Sequence, residues 1–385
     1  MALLLTVIAV VGVMALGAGP GSAAGRAETS PGAVDDLEIA AADAAVGYLL
    51  ERQGADGGFG DESSATPDAI SAIAQQAQTT GEWSTKEAID SVSLAERSDG
   101  ATPLDALDAL AQADPSPAAA AEIISRAVVA MGLDPENFDP GADGDPIDLV
   151  RIVAAGRLTD GSYGTASETA EAVLALVLVQ KPVNEGTVEF LQDAQQRNGG
   201  WFRSGTPEDG AIDVSTTAVV VQALVAAGAP ADGEGPVAKG LAFLARQQND
   251  DGGWSSVRRG PSEPLPTASA MGAIRASGYD PAVRCWRDAY GADDPDRADY
   301  RSPADALVDT QATDGSMGPS EDLTYSTAVG AQGLLGRWLP ISRAETVDCG
   351  GGDDGGLPVP PSLIVIGVIA LVLVVGAVRI IRTSS

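Results

Sequence analysis

The sequence predicts an all-α protein: an (α/α)6 toroid of about six helical hairpins, plus a C-terminal transmembrane helix. Three observations carry this. One glycine-centred motif recurs in a fixed frame, amphipathic helical segments alternate with segments that are apolar all round, and the chain ends in a long uncharged run.

The motif is a Gln followed at +3 by Asp or Asn, at +4 by Gly and at +6 by a bulky side chain. It is met at Gln53, Asp56, Gly57 and Phe59, and again at Gln195, Asn198, Gly199 and Trp201. Two further copies are Gln248, Asp251, Gly252, Trp254 and Gln311, Asp314, Gly315, Met317. A weaker copy has Arg157, Asp160, Gly161 and Tyr163, and the weakest has Glu96, Asp99, Gly100 and Thr102.

Each copy has a physical reading. An amphipathic helix precedes the turn, as at Val188–Ala194 and Val237–Leu244, with apolar residues spaced by three and four. Gly supplies the left-handed backbone that ends it. The Gln amide is placed to bond the freed main-chain groups of the turn, and the bulky residue folds back between helices. A second helix then opens near a hydroxyl residue. Thr66-Pro67 and Thr102-Pro103 read as N-cap followed by Pro at N1, with Ser167, Ser215, Thr267 and Ser326 near the same place in other copies. The second helices Ala170–Val179, Thr217–Ala227 and Thr324–Leu335 lack a polar face and read as buried on all sides. Six such hairpins close into an inner ring wrapped by an outer one, while a straight solenoid of hairpins is the alternative. Ala118–Met131 and Pro281–Tyr290 read as extra helices inserted between units.

The termini add an address. Residues 1–24 read as a secretory signal ending at the small residues Ser22, Ala23 and Ala24. The segment has no Lys or Arg before its apolar run, so an uncleaved anchor is the alternative. Residues 25–40 form a linker and 41–345 the toroid. Residues 346–361 form a Gly/Pro-rich spacer, 362–381 the membrane helix and 382–385 a cytoplasmic tail. Arg379 and Arg382 put the tail inside and the body outside the cell membrane.

A net charge of −31 repels nucleic acid, so no such partner is expected. The chain has no His, which removes serine triads, Cys–His pairs and His-containing zinc sites; no metal and no cofactor is expected. Of the two cysteines, Cys285 and Cys349 are expected to pair in an oxidising compartment, stapling the end of the body.

The Gln-x-x-x-Gly-x-Trp pattern resembles the QW repeat of squalene and hopene cyclases, the prenyltransferase/squalene oxidase repeat. It appears more loosely in protein prenyltransferase β-subunits and in cobalamin carriers of the transcobalamin type. The resemblance covers about Ala41 to Pro340 and implies a terpenoid cyclase-like toroid. The Asp-x-Asp-Asp acid of class II cyclases is not matched: Asp143, Asp145 and Pro146 depart at the last position, and Asp293, Asp294 and Asp296 have the wrong order.

In such a fold the inner helices point their N-termini at one mouth, where their dipoles favour an anionic or polar group. The loops there carry Asp68, Glu168, Asp213, Thr216, Thr267 and Tyr325, and Arg275 is a charge within an inner-helix pattern; these are the candidate ligand-binding residues. Each also has a structural reading, as cap, core or snorkelling residue. The expected function is non-catalytic capture of a small amphipathic or cofactor-like ligand at the cell surface, a corrinoid being the named candidate, with a membrane transporter as partner. The alternatives are a surface module that binds protein or polysaccharide, and a divergent terpene cyclase or prenyltransferase-like enzyme.

Overall fold

The computed structural model describes residues 36–61, 64–77, 85–93, 100–113, 116–140, 145–203, 212–257, 259–291, 300–336 and Val347. The chain divides into two units, 1–346 and 347–385, and every described helix belongs to the first. The signal segment, the spacer from 348 on, the membrane helix, the tail and Cys349 lie outside the described residues. Cys285 is disulfide-bonded. Among the described residues no helix is long and apolar enough to cross a membrane.

The helices in order are α1 (Asp36–Glu51), α2 (Thr66–Gln76), α3 (Thr85–Ser93), α4 (Pro103–Ala113), α5 (Pro117–Ile123), a π-helical turn (Ile124–Val128) and α6 (Val129–Met131). They continue with α7 (Leu149–Ala155), α8 (Ala166–Leu178), α9 (Glu185–Asp193), α10 (Val214–Ala226), α11 (Pro236–Gln247), α12 (Pro264–Ala276), α13 (Cys285–Ala289), α14 (Pro303–Asp309) and α15 (Leu323–Leu335). A two-residue antiparallel ladder, β1 (Trp201–Phe202) on β2 (Ile212–Asp213), is the one sheet among the described residues.

The packing partners define two rings. The inner ring runs α2, the continuous α5–π turn–α6 segment, α8, α10, α12 and α15, and α15 returns to α2. Each outer helix (α1, α4, α7, α9, α11, α14) packs against the inner helix before it and the one after it. Burial agrees: α10 and α12 have nearly every residue buried, as a helix without a polar face requires.

The second hairpin corrects the sequence reading. Pro103–Ala113, expected as an inner helix, is outer, and Ala118–Met131, expected as an insertion, is the inner helix beside α2 and α8. The reason is local: Gly100 has the left-handed φ of +91° of the other turns but precedes the outer helix. The inner helix opens instead at Ser116, whose hydroxyl caps α5 only three residues after α4 ends. The supernumerary helices are α3 and α13. α1 also begins at Asp36, ahead of the expected boundary at 41.

The turns do what their residues allow. Gly57, Gly161, Gly199, Gly252 and Gly315 have φ between +85° and +93°, open to Gly at little cost. An added Cβ at Gly199 would lie 2.2 Å from the Lys239 carbonyl oxygen, and at Gly315 2.2 Å from that of Ala44. The turns thus seat directly on the backbone of the next outer helix, the last of them on α1. The Gln amides of residues 53, 195, 248 and 311 donate to the carbonyls of their own turn glycines at 2.8–3.1 Å. Trp201 and Trp254 are fully buried and donate their indole N–H to Leu191 and Leu244 carbonyls, so they are wedges between helices.

Thr102 is the expected N-cap before Pro103, its hydroxyl accepting from Asp105 N–H at 3.3 Å, but Thr66 differs from expectation. Thr66 lies inside α2, whose N-cap Ala65 makes no side-chain bond. Its hydroxyl accepts from Phe59 N–H (3.0 Å) instead. Thr169, Thr217, Thr267 and Thr327 do the same for Tyr163, Trp201, Trp254 and Met317. One Thr on each of these five inner helices therefore satisfies the main-chain donor of the bulky residue, which a buried N–H requires.

Candidate functional site

The inner helices open onto one mouth, and a cavity of about 430 Å³ enters there. Its walls are stripes of single helix faces. Ser167, Glu171 and Leu174 descend α8, Thr216, Val219 and Gln222 descend α10, and Leu265 and Ser269 descend α12. Spacings of three and four keep each set on one face, and seven residues of helix reach about 10 Å down. Arg126 and Tyr325 close the side toward the π turn and α15; Arg203, Asp213, Ser256 and Glu263 form the rim on the side of the β ladder.

The electrostatics centre on Arg126. Its Nε lies 3.2 Å from Asp68 Oδ1 and its Nη2 3.0 Å from Glu171 Oε1. Gln332 Nε2 donates to Asp68 Oδ1 (3.0 Å), and Gln75 Nε2 to Gln332 Oε1 (3.4 Å). A polar chain thus crosses four inner-ring segments. Burial pushes the Asp68 carboxyl up, against the pull of Arg126. Burial also raises Glu122, to about 7, with the Asp68 charge adding to it and Arg126 opposing. Burial alone would lower the Arg126 guanidinium, but the Glu171 and Asp68 carboxylates outweigh it and hold it above its ordinary value. Burial and the Asp68 charge likewise raise the Tyr325 phenol. The π turn that carries Arg126 is an unfavourable element often found at functional places.

At the rim, Arg203 Nη2 meets Asp213 Oδ2 at 2.7 Å. Three of the inner helix starts at this mouth, those of α8, α10 and α15, are occupied by side chains, whereas α2 and α12 have no side-chain cap. Asp213 Oδ1 accepts from Thr216 N–H (2.7 Å), Thr165 Oγ1 from Glu168 N–H (3.2 Å) and Asp322 Oδ1 from Tyr325 N–H (2.9 Å). At those three ends the dipole expected to favour an anionic group is already met by a side chain, two of them carboxylates.

Of the residues singled out in the sequence, Asp213, Thr216 and Tyr325 line the cavity. Asp68 sits one contact behind it, through Arg126. Glu168 is held in a capping box with Thr165. Thr267 lies under Trp254. Arg275 is in the last turn of α12, at the opposite end, where it donates to the Gly333 carbonyl (3.4 Å). Asp145 is exposed, and Asp143, Asp293, Asp294 and Asp296 lie outside the described residues. Arg126, Glu171, Arg203 and Glu263 escaped sequence reasoning. Arg126 and Glu171 each carried a signal, a charge inside an otherwise apolar helical run.

The double ring defines an α/α toroid, and comparison places it more closely. The squalene-hopene cyclase C-terminal domain model matches residues 177–321. A variant of the type II terpene cyclase MstE from Scytonema, solved with its product merosterolic acid A, is 14% identical with a TM-score of 0.52, covering 78% of this chain and 97% of that one. A second MstE variant, without ligand, is 13% identical with a TM-score of 0.53 over the same shares. A protein from Actinoplanes is 17% identical with a TM-score of 0.50, covering 78% of this chain and 98% of that one. Comparison with curated proteins finds no match. The fold is a terpenoid cyclase-like α/α toroid.

Proposed function

We propose that this chain is a membrane-anchored, extracytoplasmic protein that captures a small amphipathic or cofactor-like ligand at the toroid mouth without transforming it. The observation that carries this is the cavity of about 430 Å³, charged at its rim and aliphatic at Leu174, Val219 and Leu265. That size and mixed lining suit a small organic molecule. A corrinoid is larger and would rest on the rim with one side arm inserted. The anchor and the outward address rest on residues 1–24 and 362–381 of the sequence, and a membrane transporter is the fitting recipient.

A second reading is favoured by one observation: carboxyls raised by burial, Asp68 and Glu122, stand around Arg126 beside the cavity. Perturbed acids of that kind accompany proton-transfer sites, and MstE with geranylgeranyl dihydroxybenzoate, its substrate, shares the fold. Fold likeness alone does not carry an activity across.

Native mass spectrometry of the full-length chain purified from its own host tests both readings. A discrete extra mass that leaves on denaturation supports capture. Turnover of an offered isoprenoid, such as geranylgeraniol, supports the enzyme. A bare chain that also ignores cyanocobalamin and geranylgeraniol contradicts both and moves the weight to a surface interaction module.

A further inference from the structure

The floor of the cavity is built differently from its rim. Gln222 and Ser269 close it from α10 and α12, with exposures of 4% and 7%. Gln222 Nε2 points at the Ala218 and Ser269 carbonyls, both at 3.4 Å, the long limit of a hydrogen bond. Among the described residues its Oε1 accepts nothing, and the Ser269 hydroxyl has no partner. Neither polar atom is sealed in the core: both open on the cavity, where each can bond a group that enters it. Gly272 makes room for this arrangement: an added Cβ there would lie 3.0 Å from Gln222 Oε1.

Charge is not what the floor lacks. Arg126 is paired with Asp68 and Glu171, and Arg203 with Asp213. A carboxamide and a hydroxyl each both donate and accept, so they match a neutral group that does the same. Above them the Leu174 and Val219 side chains form an aliphatic collar.

We infer that Gln222 and Ser269 form a specificity subsite for an uncharged hydroxyl, carbonyl or primary amide at the leading end of a ligand whose middle is aliphatic. The inference rests on the capture reading and names the chemistry that capture selects. A hydrocarbon end leaves both floor groups unmet, the situation in which a hydrogen-bonding site rejects an analogue most strongly.

The test titrates the full-length chain with cyclohexanol, cyclohexanecarboxamide and methylcyclohexane by ligand-observed NMR. The alcohol and the amide are expected to bind at least about tenfold more tightly than the hydrocarbon. Gln222→Leu should abolish that preference and Ser269→Ala should weaken it. Gly272→Ala, which displaces the carboxamide while keeping its chemistry, should reduce amide binding, and it carries the test if the Leu variant fails to fold. Binding that is lost in Val219→Trp but shows no preference, or a preference unmoved by all three floor variants, overturns the subsite while capture stands. If no probe binds the wild type, the subsite is overturned, and capture is then decided by the mass carried from the native host.

Discussion

Gln311 donates its amide to the Ala41 carbonyl at 2.8 Å, 270 positions back along the chain. The same amide holds its own turn through the Gly315 carbonyl at 3.1 Å. One side chain therefore fixes the sixth turn and fastens it to the first outer helix, the step that turns a row of hairpins into a ring. Gln195 repeats the device within the ring, bonding both the Gly199 and Pro236 carbonyls.

Replacing Gln311 by Leu should cost about 1–2 kcal/mol. Amide hydrogen exchange should show the loss concentrated in α1, the element that the ring closure holds, whereas Gln195→Leu should loosen α11 and leave α1 protected.

Two glycines should respond in opposite directions to Ala. Gly199 has φ +90° with the Lys239 carbonyl 2.2 Å from an added Cβ, so Gly199→Ala should destabilise by more than about 2 kcal/mol. Gly47, within α1, has nothing within 4 Å of its added Cβ, so Gly47→Ala should stabilise by about 0.5–1 kcal/mol. Denaturant midpoints of the two variants check the pair.

Arg126 neutralises a carboxylate with 2% side-chain exposure. Arg126→Met should destabilise by roughly 3–5 kcal/mol, because Asp68 is left buried beside other acids. Adding Asp68→Asn should recover part of the loss, and the double-mutant cycle measures how much.

The turn chemistry was legible in the sequence because it is local: Gln, Asp and Gly at fixed offsets dictate one backbone, wherever the turn sits in the ring. The second hairpin was not, since α4 ends at Ala113 and the α5 cap is already Ser116, too close for the motif, while Gly100 imitates it one helix early. Asp213, Thr216 and Tyr325 could be placed at the mouth by their closeness to helix starts. Arg126 and Glu171 meet only through tertiary packing, 45 positions apart, and a charge in an apolar run does not say which end of the barrel it faces. The same signal singled out Arg275, which faces the other end.

Stability should fall as pH rises toward neutrality. Glu122 holds its proton up to about 7 in the folded chain, against an ordinary value of 4.5. The groups facing it are Asp68 on α2, Glu171 on α8 and Arg126 one turn along. Its contribution is full below about pH 4.5 and lost as pH passes about 7, because the folded state binds the proton more tightly than the unfolded one. Glu122→Gln should flatten the dependence of Tm between pH 5 and 8 and raise stability at pH 8 by roughly 1–3 kcal/mol.

The cavity as a ligand site is tested most directly by the mass carried by wild-type chain and by Val219→Trp, each purified full-length from the native host. Val219 lies midway down the α10 stripe, so an indole there fills the space between rim and floor. The account predicts a discrete noncovalent mass on the wild type and none on the variant, with both chains folded. The same mass on both chains, or none on either, would contradict it.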